Sequence, residues 1–597
     1  MSERHTYEMG LVGNCSYLGY INKNTNVDWM CWPRFDSSFV FGGLLDEEKG
    51  GEFSIRPKEK DFTSHQYYIQ NTNVLCTEIT TESGSYRVTD FAPRFLQHDR
   101  YYKPLMLVRK IEPIQGEVQV RARCRPTGDY GEITPSTYQG SNHIQYQGLE
   151  RSLRLTTNIS LSYIDEDQFF VLNEAKYLVL TFGQPMEASL ASTVEEFQKK
   201  TVNYWRKWAK STSIGSFYQS AVIRSALVLK IHQYEDTGAI IAAGTTSLPE
   251  SPGSGRNWDY RYCWMRDTYY TLNAFNNIGH FEELERYFHY IRNVFANSRD
   301  QDKLQPLYTI SAKLSIEEKI FPLKGYKGNG PVRIGNQASE HIQNDVYGQV
   351  LVSLLPLYYD HRFPDEQRSA SLDLVREVLD QIEKRMDQPD AGLWEFRDMA
   401  YKFCYTYLFH WAGANAAVRI GERANDAEMV TKARKLVDQA ADYIEQCYDA
   451  ERGVYTQAIG LKQLDASCLQ LIMMGYLDPS SERAQQHLRV LESELRTPEG
   501  LFYRYKHEDD FGKPESTFLI CSFWYMEALA MVGRVEEATD VFDSVLKYAN
   551  HLGLLAEDVN ATDGSQWGNY PQAYSHVGLM NAAYRIAKKV DLPSFLV

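Results

Sequence analysis

The chain lacks any long hydrophobic run. None of its apolar stretches approaches the roughly 20 residues needed to span a bilayer. Its first ten residues, MSERHTYEMG, contain no apolar core of the signal-peptide kind. These absences argue against a membrane-spanning segment, and the sequence predicts a cytoplasmic protein.

Clustered positive charge is also scarce. The 63 Lys and Arg residues are outnumbered by 78 Asp and Glu residues, which gives a formal net charge of −15. Nucleic acids and anionic membranes recruit proteins through groups of Lys and Arg. We therefore expect neither as a partner, whereas this charge is compatible with a neutral sugar.

Signatures of metal, redox and nucleotide chemistry are missing as well. The nine cysteines are an odd number without metal-ligand spacing, which predicts buried free thiols in a reduced protein. No zinc-ligand cluster, Ser-His-Asp elbow or Gly-rich dinucleotide signature is present. The sequence therefore predicts no cofactor and no metal.

Aromatic residues are abundant instead. They make up 13% of the chain, including 41 Tyr and 10 Trp. Aromatic faces are natural platforms for sugar rings, although core packing is their commoner use. The composition is compatible with a sugar site but does not locate one.

Short alternating runs recur over about the first 190 residues. The clearest are residues 52–57, 65–70, 74–80, 117–123, 152–157 and 176–182. Many short strands in succession predict an antiparallel β-sandwich domain over residues 1–192. One apolar face at helical spacing then predicts a helical linker over residues 193–215.

From residue 216 to 597 the hydrophobic period is helical. Twelve helical segments can be counted in this part of the chain, and they predict an all-α domain. The segments are about 217–234, 267–280, 281–297, 339–360, 365–386, 402–422, 425–447, 465–475, 480–496, 517–533, 534–550 and 572–588. Three connections, residues 235–266, 298–338 and 551–571, are longer than ordinary loops. Connections of that length are candidates for a substrate site.

Two carboxylates near the C-terminal half stand out by their surroundings. Glu395 lies in GLWEF and Glu557 in GLLAEDV, each in a loop just before a helical stretch. Glycoside hydrolysis requires such a pair, one carboxyl protonated and one ionised. Trp394 beside Glu395 would provide an apolar wall of the kind that raises a carboxyl pKa. For either residue alone, a helix-terminal Glu is the commoner interpretation.

Nine motifs occur in order along the chain. They are RNWDYRYCWMRDT (256–268), GYKGNGPVRIGN (325–336), DVYGQV (345–350), GLWEF (392–396), LDAS (464–467), GLFYRY (500–505), FLICSFW (518–524), GLLAEDV (553–559) and QWGNYPQAYSHVGLMNAA (566–583). Together they resemble the prokaryotic branch of glycoside hydrolase family 15, which holds glucoamylases, glucodextranases and some trehalases. Residues 13–37, GNCSYLGYINKNTNVDWMCWPRFDS, are similar to the N-terminal domain of that branch. The resemblance implies an (α/α)6 barrel of six inner and six outer helices behind the sandwich.

The resemblance also implies roles for the two glutamates. Glu395 occupies the position of the general acid and Glu557 that of the general base, with the neighbouring Asp558 as an alternative base. The family inverts the anomeric carbon. Inversion predicts carboxyl groups roughly 6.5–9.5 Å apart, with room for a water between them.

A set of sugar-binding residues follows from the same motifs. In the family the pair that matches Arg266 and Asp267 grips hydroxyls of the terminal sugar; without the resemblance, an ion pair with Asp267 as helix N-cap would be favoured. Core packing is an equal alternative for Trp264, and a buried structural role is favoured for His576. The predicted substrate-binding residues are Arg266, Asp267, Trp258, Tyr260, Arg333, Trp394, Trp567 and Tyr570.

The chain departs from the family pattern after GLWEF. Relatives usually carry Ser-Lys before Cys-Trp and then an Asp, whereas this chain has Thr406-Tyr407 before His410-Trp411 and then Asn415. A Tyr in place of a Lys near the acid bears on subsites or specificity. The reaction class is unaffected, but the substrate is left open.

The leading functional prediction is an inverting, exo-acting α-glucosidase of glucoamylase type, which releases glucose from α-glucans or malto-oligosaccharides. Trehalase is the alternative, because the prokaryotic trehalases of the family share the two-domain plan. Two other classes are a non-catalytic glycan-binding protein on a degenerate barrel and a phosphorylase. The sequence does not indicate the oligomeric state.

Overall fold

The computed structural model describes residues 4–186, 188–298, 303–314 and 316–590. Antiparallel sheets form the first part of the chain, and α-helices form the second. The predicted fold class, a β-sandwich followed by an (α/α)6 barrel, is confirmed. No helix in the described part of the chain combines the length and apolar character needed to cross a bilayer.

Three sheets make up most of the N-terminal part. Their orders are β1-β2-β3-β4, β13-β14-β15-β17-β11-β8-β7-β6 and β16-β12-β5, and every pairing is antiparallel. The predicted runs at residues 52–57 and 176–182 coincide with β5 and β17. The strands are β1 Met9–Gly13, β2 Leu18–Asn22, β3 Val27–Cys31, β4 Phe39–Phe41, β5 Glu52–Pro57, β6 Thr63–Tyr68, β7 Leu75–Thr80, β8 Gly84–Phe91, β9 Phe95–Gln97, β10 Arg100–Tyr102, β11 Met106–Gly116, β12 Gln119–Arg125, β13 Ser136–Gln139, β14 His143–Gln147, β15 Leu153–Thr157, β16 Phe170–Val171 and β17 Lys176–Phe182.

A buried ion pair ties the sheets together. Arg109 on β11 pairs with Asp90 on β8 at 2.7 Å, and neither side chain is exposed. The same guanidinium donates to the carbonyl oxygens of Phe53 on β5 and Thr25. Because a buried charge needs several partners to offset its desolvation, this arginine holds three segments in one arrangement.

The predicted linker is a long amphipathic helix. It runs from Leu190 to Lys210 and buries Trp205 completely against the sheets. The Thr201 hydroxyl accepts from the Arg94 backbone N–H of the sandwich. The middle of the helix is therefore packed on the first domain, and its C-terminal end contacts the second part of the chain through Trp208, which donates to Glu283 at 2.9 Å.

Twelve α-helices lie in the described residues after 216, and each overlaps one predicted segment. The largest difference concerns residues 339–360, where Gln337–Glu340 is a 3-10 turn and the helix begins at Asp345. With the two helices before them, the set is α1 Leu161–Asp165, α2 Leu190–Lys210, α3 Gln219–His232, α4 Met265–Asn277, α5 Phe281–Ser298, α6 Asp345–Tyr359, α7 Asp365–Arg385, α8 Cys404–Ala424, α9 Ala427–Glu445, α10 Gln470–Met473, α11 Glu482–Leu495, α12 Leu519–Met531, α13 Val535–Leu546 and α14 Ala573–Val590.

Six of these helices form a closed inner ring. In the order α4, α6, α8, α10, α12, α14 each contacts the next, and α14 contacts α4. The other six alternate with them along the chain and pack on the outside. Every residue of α12 except Met531 is buried, as expected for a helix that is apolar around its whole circumference.

The connections that lead into the inner helices carry short strands. Because the inner helices begin at one end of the ring, these connections meet there. The short strands of the second part are β18 Thr246–Pro249, β19 Asn257–Asp259, β20 Cys263–Trp264, β21 Leu307–Tyr308, β22 Lys319–Phe321, β23 Val332–Ile334, β24 Tyr448–Asp449, β25 Val454–Tyr455, β26 Thr517–Phe518, β27 Asp558–Val559 and β28 Gln566–Trp567.

The N-terminal segment packs against the connection before α14. The Tyr7 hydroxyl donates to the Gly568 carbonyl at 2.8 Å. The Asn550 amide donates to the carbonyls of Tyr7 and Met9 at 2.8 and 3.2 Å. The first residues of the sandwich thus support the loop that carries Glu557.

Candidate active site

Glu395 lies in a tightly turned loop just before α8. Its φ of 62° is in the left-handed region, which a non-glycine residue adopts only when its surroundings impose it. The Asp390 carboxylate organises the turn by accepting from the backbone N–H groups of Asn344 and Gly392 and from the Thr406 hydroxyl. The loop therefore aims the Glu395 side chain at the end of the ring.

One oxygen of Glu395 receives all of its hydrogen bonds from the described residues. Oε1 accepts from the Trp264 indole at 2.7 Å, from the Gln343 amide at 3.4 Å and from the Arg266 guanidinium at 3.5 Å. The side chain is 22% exposed. Oε2 is left to face a ligand, which is the arrangement that a proton donor needs.

Glu557 is held more deeply, with 1% of its surface exposed. Its Oε1 accepts from the Tyr260 hydroxyl at 2.6 Å, and its Oε2 accepts from the Asn569 backbone N–H at 3.2 Å. Burial, followed by the nearby Glu250 carboxylate, raises the pKa of Glu557 to about 8, against the lowering effects of Tyr260 and Arg504. Burial also raises the pKa of Tyr260, so its hydroxyl remains a donor.

The two glutamates line one pocket. The rings of Tyr260 and Trp264, which donate to Glu557 and Glu395, meet edge to face with centroids 5.2 Å apart. A hydrogen bond, a ring contact and a second hydrogen bond therefore connect the two carboxyl groups. Asp558, the alternative base, is outside the residues that line this pocket, because its strand pairing turns it away from Glu557.

Arg266 and Asp267 occupy the first turn of α4 and line the same pocket. They form an ion pair in which Arg266 Nε lies 3.6 Å from Asp267 Oδ1. The Asp267 Oδ1 is buried and has no hydrogen-bond partner among the described residues. Burial raises the pKa of Asp267 to about 7, with Arg266 opposing and Glu395 adding to the shift. An unpartnered acceptor beside an arginine suits the hydroxyls of a sugar.

Two of the three predicted tryptophans, Trp258 and Trp394, also line the pocket. The Trp258 indole donates to Glu250 at 3.0 Å. The Trp394 indole donates to the buried Asp465 at 2.6 Å. A carboxylate acceptor thus fixes each indole in the pocket wall.

Arg333, predicted to reach a sugar hydroxyl, is placed behind the pocket wall. Its guanidinium lies 4.8 Å from the Trp258 ring centroid and donates to the Gly255 and Asn257 carbonyls. It also pairs with Glu318 at 3.3 Å. Its Nε and Nη1 donors bond to the protein, and Arg333 is outside the residues that line the pocket, so it supports Trp258.

Trp567 and Tyr570 also differ from the prediction. The Trp567 ring stacks on the His5 ring, with centroids 4.3 Å apart. Tyr570 is fully buried, stacks on Tyr7 and donates to the Met9 carbonyl. Both rings fill the contact between the N-terminal segment and the loop of Glu557, because that apolar junction lies directly behind the pocket.

A buried ion pair in the pocket wall was missed by the sequence analysis. Arg504 donates to Glu250 at 2.5 Å, and both residues line the pocket. Arg504 belongs to the quoted GLFYRY motif, whereas only the length of the loop over residues 235–266 marked the region of Glu250. Across residues 4–186, 188–298, 303–314 and 316–590, no group of three or more His, Cys, Asp or Glu is arranged to hold a metal ion.

Two family models match the chain, one for each part. The model for glycosyl hydrolases family 15 covers residues 216–584, and a model described as trehalase-like, N-terminal, covers residues 3–203. The chain belongs to glycoside hydrolase family 15. This family 15 chain is therefore an enzyme that hydrolyses glycosidic bonds.

Several relatives align with nearly the whole family 15 chain. A trehalase of Thermoplasma volcanium is 31% identical over 97% of this chain and 93% of its own length. A trehalase of Mycobacterium tuberculosis is 31% identical over 94% of this chain and 87% of its own length. A glucoamylase of a Clostridium species is 22% identical over 64% of this chain and 56% of its own length. These relatives favour the trehalase alternative over the leading glucoamylase prediction.

A solved structure supports the fold. A bacterial glucoamylase complexed with acarbose superposes with a TM-score of 0.70 and 16% identity, over 98% of this chain and 95% of that chain. Identity at that level establishes the two-domain architecture alone. The substrate has to be inferred from other observations.

Proposed function

We propose that the protein is an inverting trehalase that hydrolyses α,α-trehalose to two glucose molecules. The observation that carries the proposal is the joint placement of Glu395 and Glu557 on one pocket, connected through Trp264 and Tyr260. Paired carboxyl groups of this kind perform glycoside hydrolysis. The trehalase relatives that cover both domains support trehalose as the substrate.

In the proposed mechanism, Glu395 is the general acid. Oε2 carries the proton and gives it to the glycosidic oxygen, while the three donors at Oε1 hold the carboxyl group in place. The bond from the anomeric carbon to that oxygen breaks, and its electron pair stays on the leaving sugar. Arg266 and Asp267 hold hydroxyls of the sugar under attack.

Glu557 is the general base of the proposed mechanism. It takes a proton from a water that attacks the anomeric carbon on the face opposite the leaving group. The Tyr260 hydroxyl and the Asn569 N–H stabilise its ionised form. Because burial raises the pKa of Glu557 to about 8, kcat/KM is expected to rise as the pH increases through this range.

A substrate panel with product analysis tests the proposal. We expect kcat/KM for trehalose to exceed that for maltose, isomaltose, nigerose and maltotetraose by about 100-fold or more. Inversion of trehalose produces one β-glucose and one α-glucose, which early NMR spectra distinguish. Preference for maltotetraose would reject trehalase in favour of a glucoamylase, and α-glucose alone at early times would reject inversion.

Variants assign that activity to the two carboxylates. Glu395→Gln and Glu557→Gln should each lower kcat by about 10²–10⁴-fold, because proton transfer is lost while the shape is kept. Glu499→Gln, on the exposed turn before β26, is the matched control and should retain full activity. Phosphate-dependent turnover that survives Glu557→Gln would instead favour the phosphorylase alternative.

A further inference from the structure

The outer wall of the pocket contains a loop that the proposed mechanism does not use. We name residues 508–513 the rim loop. Its Phe511 ring packs edge to face on Trp258, with centroids 5.1 Å apart. Asp509, Asp510 and Phe511 all line the pocket.

An ion pair holds the rim loop from one side. Arg256 donates to Asp509 at 2.5 Å, and their side chains are 7% and 5% exposed. Asp509 also accepts from the Tyr505 hydroxyl and from the Phe511 N–H. Because removing one partner of a buried ion pair leaves an uncompensated charge, the loop has one strongly preferred position.

Arg397 holds the rim loop from the other side. Its backbone N–H donates to Asp510 at 2.5 Å. Its guanidinium lies 4.6 Å from the Trp258 centroid and 5.4 Å from the Phe511 centroid. A cation over two aromatic rings is attracted to both, and it joins them into one layer.

Further contacts fix the guanidinium of Arg397 itself. It donates to Gln337 at 2.7 Å and pairs with Glu318 at 3.2 Å. Glu318 pairs with Arg333 as well, whose guanidinium lies over Trp258. The layer is therefore rigid and continuous with the wall of the pocket.

The layer stands next to the reacting groups. Arg397 follows Glu395 by two residues, and Trp258 precedes Tyr260 by two residues. Arg266 and Asp267 account for the sugar under attack, so the rim loop faces the space left for the other side of the bond. Under the proposed function, that space is where the leaving group would bind.

We propose that the rim loop, fixed by Arg256 and Arg397, determines specificity by restricting the leaving group to a single sugar ring. The layer of Trp258, Phe511 and Arg397 blocks the path along which a second leaving-side sugar would extend. This inference rests on the proposed hydrolase function, but it does not require that the accepted disaccharide be trehalose.

The test opens the layer at two independent points. Phe511→Ala removes the ring, and Arg397→Ala removes the cation that lies over both rings. Lys513→Ala, an exposed change in the same loop, is the control for the first variant. Arg362→Ala is the control for the second, because Arg362 also pairs with a carboxylate and lies over a phenylalanine ring, but far from the pocket.

The measured quantities are kcat/KM for trehalose, maltose and maltotetraose, with thermal unfolding as the check on folding. In both layer variants the ratio of maltotetraose to the preferred disaccharide should rise about tenfold or more, while the controls keep the wild-type ratio. Arg397→Lys, which keeps the charge but loses the planar stacking group, should give an intermediate ratio. If Arg397→Ala fails to fold, Arg397→Lys takes its place as the second test of the layer.

The outcomes separate this inference from the proposed function. A wild-type enzyme that cleaves maltose but neither trehalose nor maltotetraose would reject trehalase and support the rim loop. Equal losses on all three substrates in folded layer variants would overturn the rim-loop proposal. Efficient wild-type hydrolysis of maltotetraose would overturn it as well.

Discussion

The two glutamates of the pocket differ in their exposure and in their hydrogen-bond partners. Glu395 is partly exposed and receives three donors on one oxygen, whereas Glu557 is buried beside another carboxylate. The negative charge of the neighbouring Glu250 is paired with the Arg504 guanidinium, whose Nη2 lies 2.5 Å from a Glu250 carboxylate oxygen. This third carboxylate does not need to touch substrate in order to influence the reaction, because its charge acts on the base.

Replacing Glu250 should move the pH profile. Glu250→Gln removes a charge that raises the pKa of Glu557 and leaves Arg504, which lowers it, without its carboxylate partner. Both effects lower the pKa, so the acidic limb of kcat/KM should shift to lower pH by about one unit. Arg504→Met should shift it to higher pH. If Glu250 and Arg504 had a purely structural role, both variants would lower kcat/KM at every pH, but the pH at which the acidic limb falls would stay the same.

Elements of the barrel position the proposed catalytic groups through their entry loops. Glu395 adopts a left-handed backbone conformation only because the Asp390 carboxylate holds three donors around it. Two of these donors belong to other segments, at Asn344 before α6 and Thr406 in α8. The loop therefore depends on two neighbouring inner helices.

Loosening that loop should impair catalysis more than binding. Asp390→Asn exchanges an acceptor for a donor at a buried site, which costs about 1–3 kcal/mol of stability. We expect kcat to fall about 10–100-fold with a smaller change in KM, because the acid is displaced. Asp387→Asn, an exposed change in the turn just before, is the control. Full kcat in a destabilised Asp390→Asn protein would show that the loop keeps its position without this contact.

The patterns of single elements were read reliably from the sequence. The alternating runs at residues 52–57 and 176–182 coincide with β5 and β17, and all twelve helical segments exist. Residues 465–475 are less regular, since a 3-10 turn Ala466–Leu469 precedes the short α10. The period of hydrophobic residues shows which side of a helix or strand is buried. This information is contained in residues that are close together in the sequence.

At the scale of the whole molecule, the sandwich and the barrel contact each other behind the pocket. Asn550 donates to the carbonyls of Tyr7 and Met9 and to the Tyr570 hydroxyl, and it is 6% exposed. Trp567 stacks on His5 at the same junction. The N-terminal part therefore contributes to the support of Glu557 although it lies outside the pocket.

Removal of this junction contact should destabilise the protein. Asn550→Ala removes the Oδ1 that accepts from the buried N–H groups of Leu552 and Leu554, and it removes one donor to the Tyr7 and Met9 carbonyls. The unfolding free energy should therefore fall by about 2–4 kcal/mol. Urea denaturation followed by tryptophan fluorescence measures the change. Asn297 is exposed and makes one partly buried hydrogen bond, to the Ala312 carbonyl. Asn297→Ala should change stability by less than about 0.5 kcal/mol. Equal effects of the two variants would contradict a special role of the junction.

The amino-acid sequence by itself determined six of the strands, the twelve helices of the second part and the candidate carboxylates, because hydrophobic period and motif spacing are properties of neighbouring residues. Only the tertiary structure decided which aromatic and charged groups face the pocket. Trp567, Tyr570 and Arg333 pack behind it, while Glu250 enters it from a loop without a distinguishing motif. The same side chains serve a core and a sugar site equally well, and their assignment depends on segments that are hundreds of residues apart in the chain.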